Sequence, residues 1–145
     1  MGSISDILKR AACALVPLTA ACVQSPDTVF HTMHGAQVHR LADDRFEVVP
    51  EIGAVRDAYW CAAGEYARRA RGAGWGDRVY VARGLRRGEA VDRKSTVVFS
   101  LRPVPQAEPQ PWLMRINRFK PGDSQTVQGA ERQFENLRIL VRRPA

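Results

Sequence analysis

The chain has 145 residues, 45% of them hydrophobic and 26% charged, the length and balance of one ordinary globular domain. Its 22 Lys and Arg against 15 Asp and Glu give a formal net charge of +7, so the surface is basic. Nearly all the cations are arginine, beside abundant alanine and glycine. A GC-rich coding sequence produces the same bias, so the arginine count alone is no evidence for phosphate binding.

Lys9 and Arg10 precede the apolar run from Ala11 to Ala21, which is too short to span a bilayer but has the length of a signal-peptide core. Pro17 and the abrupt polar stretch Gln24-Ser25-Pro26-Asp27 fit a removable signal followed by a tether. The run ends at Leu18-Thr19-Ala20-Ala21-Cys22, which resembles a bacterial lipobox. That resemblance implies a signal peptide over residues 1–21, lipidation at Cys22 and a tether over 22–28. Val23 after the cysteine resembles the sorting position of lipoproteins sent to the outer membrane. Retention of an unmodified Cys22 after ordinary cleavage is the alternative, and would leave Cys22 free to pair with Cys61 in an oxidising compartment. A second alternative is an ordinary helix over residues 5–21 with Ser5 as its N-cap.

Residues 29–145 are expected to form a single domain. Thr28–Met33 and Ala36–Leu41 read as strands around a two-residue turn at His34-Gly35, and Asp43-Asp44 turns the chain into a third strand, Phe46–Val49. In that register His31 and His39 point to opposite faces and His34 sits in the turn. With no HxH pair or Cys/His spacing, no metal site is expected.

The segment Asp57–Arg69 is the one substantial helix the pattern predicts. Val55, Tyr59, Ala62, Ala63, Tyr66 and Ala70 share a face, and its many alanines permit close approach to strands. Gly53 or Asp57 is expected to cap the start and Gly72 the end, after the basic turn Arg68-Arg69-Ala70-Arg71. Trp60 and Cys61 fall off that face, so either a second layer, such as the C-terminal segment, covers them, or Cys61 is exposed beside Glu65 and Arg68.

Gly72–Asp77 follows a helix and precedes a strand, the reverse of a phosphate-cradling loop, and reads as a connector. Arg78–Arg83 and Ser95–Leu101, rich in β-branched and aromatic residues, are expected at the centre of the sheet. The loop between them carries Arg86, Arg87, Arg93 and Lys94, the first candidates for contacts with an anionic partner, diluted by Glu89 and Asp92. Prolines 103, 105, 109 and 111 mark an extended connection over 103–111. Trp112, Met114 and Ile116, then Leu137, Ile139 and Val141, alternate as two further strands would. The pattern of Ala130–Asn136 does not decide for or against a helical turn.

The fold class expected is therefore α+β, a small antiparallel sheet with one main helix packed on it, in the order ββ(β)-α-ββ plus C-terminal strands. The run Tyr59-Trp60-Cys61-Ala62-Ala63-Gly64-Glu65-Tyr66-Ala67, with Arg78-Val79-Tyr80-Val81 and Val98-Phe99-Ser100-Leu101, resembles small uncharacterised exported proteins of alphaproteobacterial type. The resemblance implies compartment and size, and carries no activity.

No GxSxG, HExxH, CxxC, paired-carboxylate or Walker motif is present, and no cofactor is expected. The expectation is a small non-catalytic lipoprotein or secreted domain of the bacterial envelope, in the periplasm or at the outer membrane. The Cys22 lipid would hold it at the membrane, in contact with an anionic component or another envelope protein. Two other readings compete. Cys61 is a candidate reactive thiol for an enzyme or redox sensor, with Glu65 and Arg68 tuning it and a histidine as base. The arginines, including Arg142 and Arg143, permit a nucleic-acid-binding module, although they are scattered and no recognition motif is present.

Overall fold

The computed structural model describes residues 29–51, 53–106 and 119–141. The expected signal peptide and tether, with Cys22, most of the Pro-rich connection and the strand at Trp112–Ile116 lie outside the described residues, as do Arg142 and Arg143. Six strands and two helices follow in the order β1 (Phe30–His31), β2 (Gln37–Arg40), β3 (Arg45–Val49), α1 (Arg56–Arg71), β4 (Arg78–Arg86), β5 (Thr96–Ser100), β6 (Ser124–Thr126) and α2 (Val127–Val141). The strands form one antiparallel sheet in the spatial order β1-β2-β3-β5-β4-β6. The class is α+β, as the pattern predicts, with α1 as the main helix on the sheet. β5 is central, whereas β4 lies one step further out and is flanked by β6.

Alternation sorts the two faces of the sheet. Val38, Phe46, Val48, Val79, Val81, Val97 and Phe99 point toward α1 and are almost fully buried. Above them α1 contributes Tyr59, Ala62, Ala63 and Tyr66 of the predicted face, together with Trp60 and Ala67, whereas Val55 and Ala70, expected on that face, are exposed because they lie at the two ends of the helix. The wheel placed Trp60 off this face. It is inserted beside the sheet instead, with its ring centroid 5.1 Å from that of Phe99, edge to face, and Phe119 packs against Tyr59 at 5.0 Å. Phe46 bridges to Tyr66 at 4.5 Å. Aromatic pairs at these spacings stabilise by about 0.5–1.5 kcal/mol each beyond the area they bury. The small residues of α1 let the helix settle close enough for the large ones to reach.

The expected stop is found. Gly72 takes a left-handed conformation at φ 70°, its amide donating to Arg68 O while Ala73 N donates to Ala67 O, so two carbonyls of the last turns are satisfied. The expected start is not found. Val55 is the N-cap and no side chain caps the helix there; Gly53 and Asp57 play no such part.

The C-terminal alternation at Leu137, Ile139 and Val141 does not make a strand. These residues belong to α2, in which Val127, Ala130, Phe134, Leu137 and Val141 recur at helical spacing. Thr126 Oγ1 accepts the Gly129 amide at 3.1 Å, and the Val127 and Gln128 amides donate to Asp77 O and Trp75 O. The helix start is thus fixed by a threonine cap and by the connector that follows α1.

The first hairpin also differs from expectation. Phe30 pairs with Val38 and His31 with Gln37, so the loop is Met33-His34-Gly35, three residues with Gly35 at φ 80°. That one-residue difference changes the face: His31 and His39 lie on the same side of the sheet, away from α1.

α2 lies along α1, and the contact turns on Gly64. A Cβ at this position would stand 3.0 Å from Ala130 Cβ and 3.1 Å from the Glu131 amide. Gly64→Ala is expected to be nearly neutral, because a gain of about 1 kcal/mol in helix propensity offsets a slight crowding. Gly64→Val is expected to cost about 2 kcal/mol or more, since a branched side chain must push the helices apart. Urea unfolding of the two variants checks both values.

Candidate functional site

The most concentrated chemistry among the described residues lies on the face of the sheet away from α1. On β3, Phe46 and Val48 point to the core, so Glu47 between them points the other way. There it pairs across the strands with His39 and Val98, and Val98 with Arg83. Glu47 is nonetheless fully buried.

Its carboxylate is completely engaged. Oε1 accepts from Thr96 Oγ1 and Arg83 Nη2, both at 2.8 Å, and from the Glu89 amide at 2.9 Å. Oε2 accepts from the Ala90 amide at 2.8 Å and from that of Glu89 at 3.1 Å. Arg83 Nε lies 3.3 Å from Glu89 Oε1, an ion pair by distance without hydrogen-bond alignment. Burial alone would raise the Glu47 pKa. The hydrogen bonds from the Glu89 and Ala90 amides and from Thr96, with the Arg83 charge, outweigh it and hold the group below the usual carboxylate range. An ionised carboxylate whose lone pairs are all occupied is a poor proton acceptor. It is well suited to holding a loop.

That loop carries three of the four predicted anion contacts; Arg86, expected in it, is the last residue of β4 and pairs with Thr96, because the strand runs past Arg83. Residues 87–95 fold back over the sheet face, and Arg83 Nη1 donates to Arg87 O at 2.8 Å. The four candidate cations are then divided. Arg87 is paired with Asp92 at the surface. Arg86 and Lys94 are exposed, and Arg93 is half-buried, lining a cleft of about 460 Å³ with Gln37, Val49, Pro50 and Glu51. The structure does not gather the four into one cluster.

Cys61 is buried, and α2 supplies the second layer that the sequence allowed for. Burial, then the charges of Glu65 and Glu131, push its thiol up to about 12. This is the setting of a packed, inert thiol, the opposite of what thiolate chemistry requires. The residues expected to tune it are occupied elsewhere. Glu65 accepts from the Met33 amide and from Arg69, and so ties the β1–β2 turn to α1. Arg68 Nε pairs with Glu131 Oε1 at 2.7 Å, with its guanidinium over the Trp75 ring. As for a histidine base, His31 and His39 face away from α1, and His34 stacks on Phe134.

Among the described residues no group of three His, Cys, Asp or Glu is placed to hold a metal ion, and no helix is long and apolar enough to cross a membrane. Compared with protein-family models, curated proteins and solved structures, the chain matches none.

Sequence reasoning missed Glu47 and Arg83. An acid between apolar residues on a strand reads as the solvent side of an alternating pattern, and only the folded loop reveals it as buried. Glu47→Gln is expected to destabilise the protein by about 2 kcal/mol at pH 7, because Arg83 loses the buried one of its two charged partners and the Glu89 and Ala90 amides lose a charged acceptor. Glu47 titrates below its unfolded value of 4.5, so its contribution is fully present above that pH and is lost as pH falls through the lower folded value. The difference between wild type and Glu47→Gln in urea unfolding should therefore shrink below pH 4.5. Iodoacetamide at pH 8 is expected to leave Cys61 unmodified in the folded protein and to alkylate it fully in denaturant, read by peptide mass spectrometry, which separates it from Cys13 and Cys22.

Proposed function

We propose that this chain is a small non-catalytic domain of the bacterial envelope, anchored by a lipid on Cys22, that contacts an anionic envelope component through the β4–β5 loop. The observation that carries the contact surface is the fixing of that loop by Glu47. Three of the five donor contacts onto this buried carboxylate come from the Glu89 and Ala90 amides and hold the backbone there, so Arg93 and Lys94 stand on an ordered frame, with Arg86 beside them at the end of β4. Cations on an ordered frame lose less conformational entropy on binding than cations on a loose loop. The address rests on the N-terminal pattern of the sequence, its apolar run and the lipobox-like residues before Cys22. The thiol-enzyme alternative is disfavoured by the burial of Cys61.

The test has two readouts. Mass spectrometry of the membrane fraction is expected to find a mature N-terminus at Cys22 carrying acyl chains; an intact Met1 or an unlipidated terminus removes the anchor. Crosslinking in intact envelopes is expected to capture a partner with wild type and to lose it when Arg93 and Lys94 are both changed to Glu. Equal capture by that variant removes the contact surface.

A further inference from the structure

At the other end of β4 lies a second cleft, also of about 460 Å³, between the C-terminal end of α1, the glycine-rich connector after it and the chain leaving β5. Arg71, Asp77, Arg78, Tyr80, Leu101 and Pro103 line it. From Arg78 to Arg86 the strand spans about 26 Å at its usual rise, so this cleft is separate from the basic loop.

Two features set the cleft apart from the ion-paired surface around it. Arg40, Arg68, Arg69, Arg83, Arg87 and Arg102 each have a carboxylate within ion-pair distance. Arg71 and Arg78 have none among the described residues, which is also true of Arg45, Arg56, Arg86 and Arg93, but these two line one cleft together. Both are held by neutral oxygens instead: Arg71 Nη2 donates to Asp43 O, while Arg78 Nε and Nη2 donate to Ser124 Oγ at 3.1 and 2.8 Å. Nη1 of each guanidinium is left without a protein acceptor among the described residues. The second feature is the wall, where Tyr80, Leu101 and Pro103 supply apolar surface beside the two cations.

The cations outnumber the negative groups beside them. Two of the last carbonyls of α1, Ala67 O and Arg68 O, accept from Ala73 and Gly72. Asp77 lines the cleft and keeps its charge, with Oδ2 turned to the Gly74 amide at 2.7 Å within its own turn, so two guanidiniums stand against one carboxylate. What remains is a positive site with an apolar side, in the size range of small-molecule sites.

We infer that this cleft binds a small organic carboxylate, its carboxylate taken by Arg71 and Arg78 and its apolar body laid against Tyr80, Leu101 and Pro103. Arg71 and Arg78 each keep Nη1 free to donate a charge-assisted hydrogen bond, and two guanidiniums held in place by neutral oxygens suit a single anionic head. The site is independent of the loop contact and of the lipid anchor.

The experiment uses the full chain with labelled arginine side chains and benzoate as probe, followed by NMR. Benzoate is expected to shift the Arg71 and Arg78 Nε–Hε signals saturably. Loss of a charge-assisted hydrogen bond should make benzamide, and benzoate with Arg78→Gln, each about tenfold weaker. Arg78→Lys is expected to bind more weakly than wild type, because it keeps the charge and loses the paired bonds to Ser124 that hold the cation in place. Arg93→Gln should bind as wild type does. Leu101→Ser serves if Arg78→Gln fails to fold; it is expected to weaken benzoate and leave inorganic phosphate unaffected. No saturable shift, equal binding of benzamide, or wild-type affinity in Arg78→Gln overturns the site. Inorganic phosphate binding as tightly as benzoate, or benzoate unaffected by Leu101→Ser, overturns the ligand class.

Discussion

A carboxylate buried in a sheet face is tolerable only when its charge and every lone pair are answered, and Glu47 meets that condition from three directions at once. Arg83 comes from β4, Thr96 from the start of β5, and the Glu89 and Ala90 amides from the loop between them. Each donor is itself polar and taken from water, so the group is stable only as a set. The position of the loop follows from this. A nine-residue strand with two register shifts against β5 would leave its connection free to swing; the carboxylate beneath gives it a floor.

The opposite face obeys a different constraint. There α1 must lie close to the strands and also accept a second helix along its flank. Ala62, Ala63 and Ala67 meet the first need, and Gly64 meets the second. Trp60, Phe99 and Phe119 fill the volume between. Glu65 and Glu131 sit at the edge of the helix pair, each answered by an arginine, and Cys61 beside them contributes packing alone. The two faces thus rest on opposite chemistry, small apolar residues on one side and a satisfied charge on the other.

Much of this is legible in the residues themselves, and the exceptions have physical reasons. α1, its Gly72 stop and strands β2 to β5 follow from periodicity, which reports burial of one face directly. The register of the first hairpin does not, because His34-Gly35 suits a two-residue turn as well as the last two positions of a three-residue one. α2 was hidden by a short alternation at Leu137, Ile139 and Val141, which competes with a longer helical repeat beginning at Val127. Of the candidate site, the cations of the loop were visible as composition, but their division between surface, ion pair and cleft depends on where Glu47 draws the backbone. Arg71 and Arg78 are adjacent only through the turn of the connector, so no local pattern marks them as a pair.

The outermost strands, β1 and β6, are two and three residues long. β6 covers β4 only over Arg78–Tyr80, and the remaining outer edge, as far as Arg86, is guarded instead by two irregularities of register and by the charges of Arg83 and Arg86, which oppose pairing with another extended chain. The fold therefore carries its own protection against growing into fibrils.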